Sequence, residues 1–122
     1  MEHRKVLIVD DEEDISFSLK EIFENKGCHV FATTKNEEAW QIFQQERPSV
    51  CFLDIHMPFS EFDGIELLRR IRGLDKEVKC LFLTRIEDQE TKNKAHELGV
   101  DEYFEKPLDG DQFDRLVEYA TH

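Results

Sequence analysis

No apolar stretch in this sequence approaches the roughly 20 residues that a membrane-spanning helix requires. The start, Met1-Glu2-His3-Arg4-Lys5, runs straight into a short strand-like segment. It lacks the longer apolar core and cleavage site of a signal peptide, so a cytoplasmic location is the expectation. Positive charge is scarce: 16 Lys and Arg stand against 28 Asp and Glu, for a formal net charge of -12. A chain so acidic is repelled by phosphate backbones and is a poor candidate for direct nucleic-acid binding. Cysteines are few and badly placed for metal chemistry. Cys28, Cys51 and Cys80 form no C-x-x-C spacing, and their odd number argues against a disulfide framework. Each lies in or beside an apolar segment, where a reduced thiol behaves as a small hydrophobe. There is no repeat, low-complexity tract or linker, and 122 residues fit one compact domain.

What is present is an alternation of two periods. Lys5–Val9 is a continuous apolar run, the signature of a strand covered on both faces. Helical spacing follows, with Ile15, Leu19, Ile22 and Phe23 on one side and Asn25-Lys26-Gly27 as the stop. Cys28–Ala32 reads as a second strand. Asn36 can cap a helix carrying Ala39, Trp40 and Phe43, ended before Pro48. Val50–Leu53 is a third strand. A loop containing Pro58 leads to a helix from about Gly64, with Ile65, Leu68 and Ile71 inward. Val78–Leu83 is a fourth strand, Glu87–Leu98 a more polar helix closed by Gly99, and Asp101–Glu105 a fifth strand. Gly110–Tyr119 is the last helix, with Phe113, Leu116 and Val117 on its buried stripe. Five strand-helix units in succession imply an α/β fold with a parallel sheet, right-handed crossovers and helices on both faces.

Ligands of open parallel sheets bind at the carboxyl ends of the strands, and the chemistry-bearing residues fall there. Asp10 and Asp11 follow the first strand, Asp54 the third, Thr84 the fourth and Lys106 the fifth. Glu13 and Asp14 suit a first helical turn, where the helix dipole favours negative charge. Asp10 suits that role less well, because its strand is expected to be central. Carboxylates gathered at one enclosed edge repel one another unless a cation intervenes. Mg²⁺ fits such a site, since it takes one or two carboxylates, several waters and phosphate oxygens. Asp54 at a strand end can serve as a nucleophile, as in aspartyl-phosphate formation. Lys106, held extended by Pro107, can point into the same corner as a cation for phosphoryl oxygens.

Asp10-Asp11, Asp54 with Met57-Pro58, Asp63-Gly64, Thr84, Tyr103 and Lys106-Pro107 together resemble the receiver domains of two-component response regulators, the CheY-like superfamily. The resemblance runs over essentially the whole chain. It implies a flavodoxin-like (βα)5 three-layer sandwich with strand order 2-1-3-4-5. It implies a single receiver domain over residues 1–122, with no output domain in this chain. It further implies that Asp54 accepts a phosphoryl group from a sensor histidine kinase or phosphotransfer protein. Asp10, Asp11 and Asp54 would bind Mg²⁺, with the backbone carbonyl of His56 as a further ligand. Thr84 and Lys106 would contact the phosphoryl oxygens, and Tyr103 would be an aromatic switch residue. Phosphorylation would then reshape the surface formed by the fourth helix, fifth strand and fifth helix for a downstream protein effector or output domain. That surface, with Lys92, Lys94 and Glu97, is also a place where two copies could pair. Such a protein catalyses its own phosphotransfer and slow dephosphorylation rather than turning over a metabolite.

Three features depart from the family pattern. Phe59-Ser60-Glu61-Phe62 makes the loop after Pro58 two residues longer than usual and offers two exposed phenylalanines as a partner contact or partial lid. Arg85 stands where a small residue usually follows the switch threonine, and a long cation there can shield a phosphoryl group or hinder a donor. His56 lies two residues after the nucleophile, near the path of attacking water. The alternative function is an interaction module of the same fold that is never phosphorylated. A haloacid-dehalogenase-like hydrolase wants a second Asp where His56 stands, and a flavin protein wants a phosphate-cradling loop after the first strand.

Overall fold

The computed structural model describes residues 4–122. Met1, Glu2 and His3, part of the start read above as free of a signal peptide, lie outside the described residues. The chain alternates β1 (Lys5–Val9), α1 (Glu13–Asn25), β2 (His29–Thr33), α2 (Asn36–Glu46) and β3 (Val50–Leu53). It continues with α3 (Gly64–Leu74), β4 (Lys79–Thr84), α4 (Gln89–Glu97), β5 (Glu102–Glu105) and α5 (Gly110–Thr121). All four strand pairings are parallel, and the order is β2-β1-β3-β4-β5. This is the expected flavodoxin-like sandwich.

The strands form because both their faces are covered. Val50, Cys51, Phe52 and Leu53 are all buried, and alternate residues feed separate cores. Leu7, Cys51, Leu53, Cys80 and Phe82 pack toward α2, α3 and α4. Val6, Ile8, Val50, Phe52, Leu81 and Leu83 pack toward α1 and α5. Phe23, Phe43, Phe52 and Phe82 are almost wholly enclosed, each worth about 1.5–3 kcal/mol relative to exposure. The three cysteines are free and buried, with Cys51 and Cys80 side by side in register.

Helix ends follow local chemistry. Asp63 caps α3 by accepting from the Glu66 amide at 3.0 Å, and Asp88 caps α4 by accepting from Thr91. Asp109 and Gln112 form a reciprocal capping box on α5, the arrangement that satisfies two orphan amides at once. Gly99 ends α4 with φ +82°, a left-handed conformation that glycine adopts without steric cost. One cap differs from expectation. Lys35, not Asn36, holds the cap position of α2. Asn36 is instead the first helical residue, fully buried, with its Nδ2 donating to the Phe62 carbonyl at 2.8 Å.

Candidate phosphoacceptor and metal site

The five carboxyl ends of the strands share one edge, and three of its residues form a tight unit. Asp10 and Asp54 are 2% and 4% exposed and Lys106 8%. The Lys106 ammonium donates to Asp10 Oδ2 at 2.6 Å and to Asp54 Oδ2 at 3.1 Å. It also lies 3.6 Å from Glu12 Oε1. Register explains the convergence. Asp10 follows β1 and Asp54 follows β3, two strands paired side by side. Lys106 follows β5, its amide bonded to the Thr84 carbonyl at 2.8 Å, and its long side chain crosses the edge to reach them.

Electrostatics in this corner are finely opposed. Burial pushes the Asp10 carboxyl up to about 6, against the pull of its Lys106 hydrogen bond and of the Glu12 amide that donates to Oδ1. Burial also works against the Lys106 charge, but its hydrogen bond to Asp10 and the fields of Asp10 and Asp54 outweigh it and leave the amine raised.

The donor set fits a hard divalent cation. Carboxylate oxygens of Asp10, Asp11 and Asp54 all lie within 4.8 Å of one another. Asp54 Oδ1 is buried and has no hydrogen-bond partner among the described residues. A buried carboxylate oxygen left unpaired is costly, and oxygen-rich clusters of this kind are what Mg²⁺ takes. Asp11 supplies the solvent side, being exposed where Asp10 and Asp54 are buried.

Thr84 and Tyr103 meet through a third residue. Thr84, fully buried at the end of β4, accepts from the Ile86 amide at 3.3 Å. The Tyr103 hydroxyl donates to the Ile86 carbonyl at 2.7 Å. Tyr103 is half-buried, edge-on to Phe82 at 5.9 Å between ring centroids. Burial, then Asp88, Glu105 and Asp54, push its hydroxyl up to about 12. His56 has an exposed side chain. Gly64 closes the site from behind: a β-carbon there would lie 2.1 Å from the Asp54 carbonyl oxygen.

The long loop is pinned rather than open. The Asn36 amide donates to Ser60 Oγ at 2.9 Å, and the Arg70 guanidinium covers the Phe62 ring at 3.9 Å. Of the two phenylalanines read as exposed, only Phe59 is, at 85%. Phe62 packs against the core on the α2–α3–α4 face, because Arg70 and Asn36 give its ring and carbonyl partners.

Two participants were not singled out from the sequence. Glu12 stands in the acidic run before α1, yet it sits beside Lys106 and binds Arg85 through both carboxylate oxygens, at 2.8 and 3.2 Å. No spacing rule signals a contact between loops 73 residues apart. Asn36 looked like a cap, and its role depends on where the β3–α3 loop returns.

The family model described as response regulator receiver domain matches residues 6–118. The chain belongs to that family. Receiver domains of this family are generally non-enzymatic signalling modules. The receiver is 33% identical over 118 residues to sporulation initiation phosphotransferase F of Bacillus subtilis (strain 168), covering 97% of this chain and 94% of that one. It is 30% identical to regulatory protein AtoC of Escherichia coli (strain K12), over 95% of this chain but 25% of that protein. Its fold superposes on the crystal structure of a CheY-like receiver domain protein from Methanospirillum hungatei JF-1 with a TM-score of 0.88 and 27% identity. That match covers 98% and 94% of the two chains. The receiver thus spans nearly the whole of one relative and a quarter of another. Among the described residues no helix is long and apolar enough to cross a membrane.

Proposed function

We propose that this receiver is a phosphorylation-driven switch in which Asp54 takes a phosphoryl group from a phosphohistidine on a sensor kinase or phosphotransfer protein. The observation that carries the reading is the Lys106 ammonium shared by buried Asp10 and Asp54, with Asp54 Oδ1 unpartnered beside them. In the transfer an Asp54 carboxylate oxygen forms a bond to phosphorus while the P–N bond breaks. The electron pair of that bond stays on the imidazole, which leaves neutral when its other nitrogen carries the proton. Such a transfer needs placement and charge neutralisation more than covalent help. Lys106 holds Asp54 and offers its amine to the incoming phosphoryl oxygens.

Asp10, Asp11 and Asp54 would hold Mg²⁺, and His56 would add its backbone carbonyl. The chemistry that ion would supply is neutralisation of charge on the carboxylates and the phosphoryl oxygens.

Thr84 and Tyr103 carry the signal outward. Thr84 Oγ1 accepts from Ile86 and keeps its own hydrogen for a phosphoryl oxygen. Drawing Thr84 toward Asp54 releases the Ile86 amide, and the Ile86 carbonyl held by Tyr103 shifts with it. The α4–β5–α5 surface then changes for a downstream protein effector or output domain. Phosphorylation thereby biases a two-state element. A homodimer through the same surface is compatible with it, although Lys92 pairs with Glu105 and Lys94 with Glu90 within the chain.

Incubation with Mg²⁺ and phosphoramidate, followed by intact mass, tests the reading. One phosphoryl group is expected on the wild-type protein and none on Asp54→Asn. No gain from phosphoramidate or from a phosphohistidine donor would instead favour an interaction module that works unphosphorylated.

A further inference from the structure

Arg85 leaves the end of β4, directly after Thr84, and Glu12 leaves the end of β1, directly after Asp10 and Asp11. These strands are not neighbours. β3 lies between them, and Asp54 stands at its carboxyl end. A bond from residue 85 to residue 12 therefore spans the carboxyl edge of the sheet across β3. The two side chains make that bond in a forked geometry, Nε to Oε1 at 2.8 Å and Nη2 to Oε2 at 3.2 Å. The Glu12 carboxylate is also 3.6 Å from the Lys106 ammonium, which ties the pair to the site itself. The Arg85 side chain is 61% exposed, so it lies on the solvent side, where a donor must arrive. Glu12 first, and then the more distant Asp54 and Asp10, hold the guanidinium in its charged form.

We propose that the Arg85–Glu12 pair is a clasp over the mouth of the Asp54 site that limits how fast a phosphoryl donor reaches the carboxylate. The proposal rests on the reading of Asp54 as phosphoacceptor. It makes Arg85 and Glu12 positioning residues that control access and touch no reacting atom. An exposed ion pair is weak, so the clasp opens often and slows entry without blocking it. Removing it raises the open fraction by about two- to six-fold, the range that the strength of such pairs allows.

Phosphoramidate is the probe, because it is small and needs no partner protein. When its nitrogen is protonated, an Asp54 oxygen bonds to phosphorus, the P–N bond breaks and ammonia leaves, with total charge unchanged. Initial labelling rates are read by intact mass at fixed Mg²⁺. Arg85→Ala and Glu12→Gln each label about two- to six-fold faster than wild type. The double variant labels no faster than the faster single, because one clasp can be opened only once. Glu13→Gln removes a negative charge from the same turn without touching the clasp and labels at close to the wild-type rate. Slower labelling of Arg85→Ala overturns the proposal and makes the guanidinium a guide for the anionic donor. Multiplied effects in the double variant, or a matching gain in Glu13→Gln, overturn it in favour of general electrostatics. Equal rates in all variants, lost only in Asp54→Asn, overturn the clasp alone. No labelling of any protein overturns the clasp and the phosphoacceptor reading together.

Discussion

Gly64 and Asp54 touch through the backbone. The first residue of α3 packs so closely on the end of β3 that a β-carbon at Gly64 would lie 2.1 Å from the Asp54 carbonyl oxygen and 2.8 Å from the Ile55 α-carbon. The Gly64 amide donates to the Ile55 carbonyl at 3.0 Å. The position of the Asp54 carboxylate is thus set by how near α3 can approach. Gly64→Ala cannot be relieved by a rotating side chain, because both obstacles are backbone. Overpacking of this kind costs about 1–3 kcal/mol or more. Denaturant unfolding is expected to show that loss, and Mg²⁺ titration a weaker site.

Among the described residues, Lys106 is the one ammonium bonded to both Asp10 and Asp54. Lys106→Met leaves those two buried carboxylates facing each other. Breaking a buried pair by removing one partner costs about 3–5 kcal/mol. The loss is expected at pH 8 and is smaller at pH 5, where Asp10 takes up a proton. Urea melts of the variant and wild type at both pH values check this.

The raised Asp10 carboxyl sets a pH dependence with a definite sign. Its folded value of about 6 lies above the ordinary 3.8, so the folded protein binds this proton more tightly than the unfolded chain. The contribution to stability is fully present below about pH 4 and is lost as pH rises through about 6. A divalent cation competes for the same carboxylate and favours its charged form. Mg²⁺ should therefore raise the melting temperature more at pH 7.5 than at pH 5. Thermal melts with and without Mg²⁺ measure this directly, and an equal or larger Mg²⁺ effect at pH 5 would contradict it.

Sequence pattern carried the architecture further than it carried the site's periphery. The apolar runs at Lys5–Val9 and Val50–Leu53 read as strands covered on both sides, and the parallel pairing of β1 with β3 brings Asp10 and Asp54 to one edge. Lys106 was legible for the same reason, since its strand ends beside that edge. Asn36 was misread because capping is a local rule, whereas its actual partners, Ser60 and Phe62, come from a loop 24 and 26 residues away. Phe62 was read as exposed because loops are usually solvated, and nothing in the sequence announced that Arg70 would cover its ring. Glu12 stood in a run of five acids, where composition could not single it out.

Asn36 now has a role of its own. It ties the α2 start to the loop 59–62 through its amide and its side chain. Asn36→Ala leaves the Phe62 carbonyl without its donor, at about 1–3 kcal/mol. Amide hydrogen exchange should accelerate at residues 59–62 while β1 and β3 stay protected.

Tyr103→Phe removes the hydroxyl that holds the Ile86 carbonyl. About 1 kcal/mol of stability should be lost, with faster exchange of the Ile86 amide. Asp54 labelling by phosphoramidate should change little, because the Tyr103 hydroxyl bonds the Ile86 carbonyl and the Asp54 carboxylate is held by Lys106.

In the proposed switch, the Asp54 carboxylate, among 28 acidic residues, is the one that carries the phosphoryl group. Reductive trapping of the labelled protein with borohydride converts an aspartyl phosphate to homoserine, and peptide mass mapping then locates it. Homoserine at position 54 alone is the expected result. Unmodified Asp54 in protein shown to carry phosphoryl, or homoserine at another acid, would contradict it.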